Sequence, residues 1–200
     1  MSPQTFIFFG ASGSGKGTQA KLLIEKFNVL DSGKRVLYLE TGEKLREFVK
    51  EASLASKLAK EVLDTGGLMP EFIPIWVWTE FLIRHVSGEE HLIFDGSPRK
   101  LDEAAILDSA LQFYKREKPF VISIEVSDAW AKERMNERKR NDDNEAEIMQ
   151  RLSWYKENVL PAINFFKNNS YYKFVSINGE QPIEEVHQEI LKKIEIQPHP

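Results

Sequence analysis

There is no cysteine among the 200 residues. That excludes disulfides and thiolate-bound zinc, and it suits a reducing compartment. Neither charge dominates. The 27 lysines and arginines face 31 aspartates and glutamates, for a net charge of −4 at pH 7, so no broadly basic nucleic-acid surface is expected. No apolar run is long enough to span a bilayer. The opening "MSPQTFIFFGAS" has neither the basic start nor the long apolar stretch of a signal peptide. His85, His91, His187 and His199 are scattered and suggest no metal site. Repeats and low-complexity tracts are also missing. The expectation is a cytoplasmic protein that engages neither nucleic acid nor membrane.

Apolar residues make up 42% of the chain, ordinary for a soluble globular protein, and the length suits one well-buried domain. Short apolar runs predict strands at "TFIFF", "RVLYL", "HLIFD", "FVISIEV" and "YYKFVSI". Helical spacing predicts helices over Gly15–Asn28, Glu43–Lys50, Leu54–Asp64, Met69–Val86, Leu101–Arg116 and Ile183–Ile194. A further helix is capped by Ser127–Asp128. Asn144–Asn168 reads as one long helix kinked at Pro161. Trp76, Trp78, Phe72 and Phe81 read as helix packing. Five strands separated by helices predict an α/β fold with a parallel sheet.

The first strand runs into "GASGSGKGT". Gly10, Gly13 and Gly15 let backbone amides turn inward, and the following helix aims its positive end at the same point. Lys16 is placed to reach the β and γ phosphates of a nucleotide. Most loops of the form G-x-x-x-x-G-K-S/T follow the lysine with a hydroxyl for Mg²⁺. Here Gly17 stands there and Thr18 follows one residue later. "LIFDG" supplies Asp95 as the companion carboxylate. Thr18, or waters held by Asp95, must then serve the metal.

These motifs resemble those of the adenylate kinase family of nucleoside monophosphate kinases. "GASGSGKGTQ" is similar to its phosphate loop, "ETGEKLRE" to its T-G-D-x-L-R segment, and "GGLMP" to its G-x-L-V-P/T segment. "FDGSPR" resembles its D-G-F-P-R, "RMNERKRNDDNEAEIMQRL" its lid and following helix, and Asn178–Gly179 its donor-adenine turn. The resemblance covers nearly the whole chain. It implies ATP + AMP ⇌ 2 ADP with Mg²⁺. It also implies a P-loop kinase fold, with a five-stranded parallel sheet and helices on both faces. The core would be residues 1–39, 70–133 and 144–200, with an acceptor-binding helical insertion at about 40–69 and a very short lid at about 134–143. A monomer is expected.

The resemblance further implies roles. Lys16, Arg99, Arg138, Arg140 and Arg151 would carry the transfer. Gly13, Ser14, Gly15, Lys16, Gly17, Thr18, Arg134, Arg138 and Gln181 would bind ATP, with Arg134 over the adenine. Thr41, Gly42, Arg46, Gly67, Leu68, Met69, Gly96, Arg99 and Glu103 would bind AMP, with Arg140 and Arg151 spanning both nucleotides. Asp95 and Thr18 would hold Mg²⁺ through water, and Asp142 and Asp143 would orient lid arginines. No zinc is expected. This chain departs from the family pattern at several points. Ser12 replaces a proline, Ser97 a phenylalanine, and Glu103 the glutamine that reads adenine, and the lid is minimal. A UMP/CMP or GMP kinase of the same fold is the alternative. A non-catalytic P-loop switch is disfavoured, because a switch needs loops that sense a γ-phosphate and not two sets of arginines.

Overall fold

A computed structural model describes residues 1–65, 67–138 and 144–196. Five parallel strands form its sheet: β1 (Thr5–Phe9), β2 (Val36–Glu40), β3 (His91–Asp95), β4 (Phe120–Glu125) and β5 (Lys173–Asn178), in the order β2-β3-β1-β4-β5. The central strands are short apolar runs because both faces of a parallel sheet are covered. On one face α1 (Lys16–Leu30) and α9 (Ile183–Lys193) bury Ala20, Leu23, Phe27, Val186, Ile190 and Leu191 against Phe6, Phe8 and Ile122. On the other, α4 (Phe72–His85), α5 (Leu101–Phe113) and α8 (Leu160–Lys167) bury Trp78, Leu82, Leu107, Leu111, Ile163 and Phe166 against Ile7, Phe94 and Val121.

Two smaller apolar clusters sit above the strand ends. Under α2 (Thr41–Phe48) and α3 (Leu54–Asp64), Leu45, Phe48, Ala59 and Met69 pack on Ile73 and Val77 of α4. Beside the loop after β1, Ala11 packs with Ala131 and Met135 of α6 (Asp128–Arg138) and with Ile148 and Leu152 of α7 (Glu145–Trp154). Because the sheet is parallel and β1 is central, the loops after β1, β2 and β3 converge at one edge. Ligands of open α/β sheets bind at such edges. No helix among the described residues is long and apolar enough to cross a membrane.

Several local expectations are adjusted. The predicted helix over Asn144–Asn168 is interrupted by a π turn at Tyr155–Val159, where the Leu160 N–H bonds back to the Tyr155 carbonyl. Pro161 has no N–H to give and its ring crowds the preceding turn, so the wider turn takes up the mismatch just ahead of it. Pro74 falls in the first turn of α4, where its missing donor costs nothing. α5 stops at Phe113 because Lys115 turns to a positive φ of 52°. Arg116 is thereby sent inward, where it donates to Thr5 Oγ1 and to the Gln4 and Glu90 carbonyls. Tyr171 and Tyr172 precede β5 instead of starting it, and Tyr172 anchors α5 through its hydroxyl on Asp108 at 2.6 Å. Trp78 is core and Trp76, though 44% exposed, packs on Phe48 of α2 as expected of helix packing, whereas Phe72 is 64% exposed and is not packed in this way.

Candidate functional site

The loop between β1 and α1 is built for an anion. Gly13 and Gly15 lie at φ 86° and 87°, where a side chain is strained. A Cβ at Gly13 would stand 2.5 Å from the Ala131 carbonyl, so only glycine lets the loop lie against α6. Lys16 folds back over the loop, its Nζ 2.8 Å from both the Gly10 and Ala11 carbonyls. The Ser14 hydroxyl is buried with no hydrogen-bond partner among the described residues. A shielded donor of this kind is costly until something accepts from it.

Gly17 explains the unusual G-K-G-T. A Cβ there would lie 3.3 Å from Asp95 Oδ2, so a larger side chain would press on the carboxylate. Asp95 is 6% exposed at the end of β3 and accepts from the Tyr38 hydroxyl at 3.1 Å. Burial raises its carboxyl pKa, while the Lys16 charge and the Tyr38 bond oppose that rise. A buried carboxylate beside a side-chain-free position suits a hydrated divalent cation, since Mg²⁺ keeps several of its waters. Thr18 is exposed on the first turn of α1.

A second group of cations gathers across the cleft. Arg46 projects from α2 and pairs with Glu40 at 3.1 Å. Arg99 donates from Nε to the Gly96 carbonyl at 2.8 Å. Two glycines make room for both guanidiniums. A Cβ at Gly42 would meet Arg46 Nη1 at 3.2 Å and Arg99 Nη2 at 4.0 Å, and one at Gly96 would meet Arg99 Nη2 at 3.5 Å. Desolvation lowers the Arg99 pKa. Glu103 and Asp95 resist that, and Arg151 and Arg46 add to it. Like charges crowded in this way call for an anion. Thr41, 1% exposed at the start of α2, has a hydroxyl with no partner among the described residues.

One cleft of about 1000 Å³ joins these parts. Lys16, Arg46, Arg99, Arg138 and Arg151 all line it, with Gly42, Gly67, Leu68 and Gly96. Other expected residues stand outside this lining. Arg134 lies 4.8 Å from the Trp130 ring and pairs with Glu137 at 2.9 Å. Gln181 donates to the Asn178 carbonyl and to Glu189, both at 2.8 Å. Met69 is buried in the cluster beneath α2 and α3. Glu103 is 2% exposed, and its Oε2 accepts the Arg99 backbone N–H at 3.1 Å. Burial raises its carboxyl pKa, while that bond and the Arg99 charge lower it. Arg140, Asp142 and Asp143 lie outside the described residues.

The cleft also has linings that the sequence reading passed over. Lys50 of the segment after α2 and Lys60 of α3 add positive charge. Glu147, Trp154, Tyr155 and Val159 join Arg151 on one wall. Their separation from Arg151, at −4, +3, +4 and +8, is a helical-face signal that could have found them.

Comparison with known proteins agrees with this geometry. A family model described as adenylate kinase matches residues 8–171. Among similar proteins, an adenylate kinase of Flavobacterium psychrophilum is 34% identical over 188 residues, covering 90% of this chain and 92% of that protein. One of Prochlorococcus marinus is 35% identical over 184 residues, covering 92% of this chain and 94% of its own length. One of Leptospira biflexa is 33% identical, covering 94% and 98%. The match spans the phosphate loop, the arginines of the opposite wall and the helix that carries Arg151, and on that basis the chain belongs to the adenylate kinase family of phosphotransferases.

Proposed function

We propose that the protein transfers the γ-phosphoryl group of ATP to AMP, giving two ADP. The observation that carries this reading is one cleft with cationic groups at two ends: Lys16 on its loop, and Arg46 and Arg99 beside Gly42 and Gly96. Phosphoryl transfer asks for in-line placement and charge neutralisation more than for a covalent group. The donor would lie on the loop amides, with Gly13, Ser14, Gly15 and Thr18 around its phosphates and Lys16 on the β and γ oxygens. Arg134 and Gln181 would flank its adenine. The acceptor phosphate would be held by Arg46 and Arg99, whose planar forks suit phosphate oxygens. Arg138, Arg140 and Arg151 would offset the charge that spreads over the transferred group. No general base is needed, because the attacking phosphate is already ionised. Asp95 would hold Mg²⁺ through water in the space that Gly17 leaves, and the ion would supply further neutralisation of the β and γ oxygens. Residues 40–69 would act as the acceptor-binding insertion and 134–143 as a short lid. Both proposed nucleotide ends lie in one chain's cleft, so transfer would need no residue from a second chain, and we propose a monomer.

The test is incubation with ATP, Mg²⁺ and each nucleoside monophosphate in turn, with the products resolved. AMP should be consumed fastest. Faster use of GMP, CMP or UMP would overturn the acceptor assignment.

Glu103 sharpens that test. One of its oxygens is committed to the Arg99 N–H, and the other makes no hydrogen bond among the described residues. Glu103 is buried outside the cleft lining, so a base would meet it only by reaching in to that second oxygen, which is an acceptor only. It suits an amino group but opposes the lone pair of the adenine ring nitrogen. In Glu103→Gln the amide oxygen can keep the Arg99 bond and turn the NH₂ toward the base. The substitution should raise kcat/KM for AMP relative to GMP by about tenfold, the scale of one corrected buried hydrogen bond. An unchanged ratio would remove Glu103 from the base-reading contacts.

A further inference from the structure

Trp154 has no part in the phosphoryl transfer proposed for this cleft, yet it lines the cleft wall. It is partly buried on the last position of α7, three residues after Arg151 and so on the same helical face. A π turn begins at the next residue, Tyr155. Tyr155 and Val159, the first and last residues of that turn, line the same cleft. Leu45, Val49, Leu63 and Leu68 also line the cleft, and they come from the segment proposed to receive the acceptor. Apolar side chains and a planar indole lining one cleft have the makings of a slot for a flat, apolar-faced ring.

We propose that Trp154 is an aromatic wall for the acceptor nucleotide and favours purine over pyrimidine monophosphates. The inference rests on the AMP kinase reading and adds a residue to its specificity. Stacking acts on the faces of the base, whereas Glu103 acts on its edge, so the two residues contribute separately. A purine offers the larger face and gains more from the contact. Trp154 is also well placed to report binding. Trp78 is buried in the core, Trp130 lies beneath Arg134, Trp76 packs on Phe48, and none of these three lines the cleft.

The experiment combines kinetics with tryptophan fluorescence on the full chain. AMP should quench the emission of the native protein, and Trp154→Phe should abolish that quench. Trp154→Leu should raise the KM for AMP about tenfold, the scale of one lost stacking contact. Its kcat should fall less than its KM rises, and CMP should lose only a fewfold. Trp154→Phe should recover most of the affinity, because it keeps a ring. A quench that persists in Trp154→Phe, or equal losses for AMP and CMP in Trp154→Leu, would overturn the proposal. Should Trp154→Leu fail to fold, the quench and KM in Trp154→Phe still decide. If native protein turns AMP over without any quench, this inference fails and the kinase reading stands. If AMP is neither bound nor phosphorylated, the kinase reading itself fails.

Discussion

Lys16→Met is expected to lower turnover by about 10²-fold or more while leaving the protein folded, the size of effect seen when one preorganised charge contact to a transition state is removed. The ammonium now rests 2.8 Å from two loop carbonyls, Gly10 and Ala11. Those contacts park the charge above the nest of amides where the β and γ phosphates would lie. Methionine keeps the length and apolar stem of the side chain but removes the charge. The loop loses the ammonium's contacts to these two carbonyls, each worth about 1.5–3 kcal/mol as a bond to a charged group, but the cost of desolvating the part-buried charge goes with them and offsets much of the loss. Its shape is held by Gly10, Gly13 and Gly15 and by the packing of Ala11 on Ala131, Met135 and Ile148. ADP formation should therefore collapse while the thermal midpoint moves by only a few degrees. The check is a coupled ADP assay beside a circular-dichroism melt. A folded variant with near-native turnover would refute the role given to Lys16.

The largest expected stability effect lies at the opposite edge of the sheet. Glu90 is 1% exposed just before β3. Its carboxylate accepts from the Ser87 and Gly88 amides at 3.1 Å, from the Ser87 hydroxyl, and from Arg35 at 2.7 Å. Burial alone would raise its pKa, but these donors overcome that and pull it from 4.5 to about 2. Because the folded pKa lies below the unfolded one, the ionised group stabilises the fold above about pH 4.5, and the contribution fades as pH falls toward 2. A carboxyl held down that far contributes about 3 kcal/mol at neutral pH. Glu90→Gln should lose about that much at pH 7, since an amide turns one donor toward other donors. At this chain length the loss corresponds to a fall of roughly 6–12 °C in Tm. The gap between native and variant should narrow below pH 4.5 and close near pH 2. Urea titrations across that range measure it, and a gap independent of pH would show that the charge is not responsible.

Much of the molecule is set by local pattern. "TFIFF" and "HLIFD" are apolar without alternation because strands covered on both faces have no solvent side, and that signature is visible residue by residue. The positive φ of Gly13 and Gly15, and the lysine that follows them, belong to one contiguous turn, so the loop is legible in the sequence alone. Ser127 ahead of α6 is a local signal of the same kind, and its Oγ accepts the Trp130 N–H at 3.3 Å.

What tertiary structure alone decided depends on segments far apart in the chain. In the sequence Gly17 stands where a metal ligand is missing. Only the return of β3 beside β1 shows it standing over Asp95. Arg46 and Arg99 are more than fifty residues apart, and they meet because β2 pairs with β3 so that Glu40 lies opposite Asp95, bringing Gly42 and Gly96 together. The family pattern points Glu103 at a base, yet one of its oxygens turns back to the Arg99 N–H, since the third residue of a helix can reach the amide just before its start. Pro161 signals a break, but whether the helix kinks or widens into a π turn depends on how the following turn packs on the sheet. Tyr155 and Val159, at the two ends of that turn, line the cleft. Periodicity along a chain reports which face a side chain takes on its own element. The order in which elements stack decides what that face meets, and the chemistry of this cleft arises from those meetings.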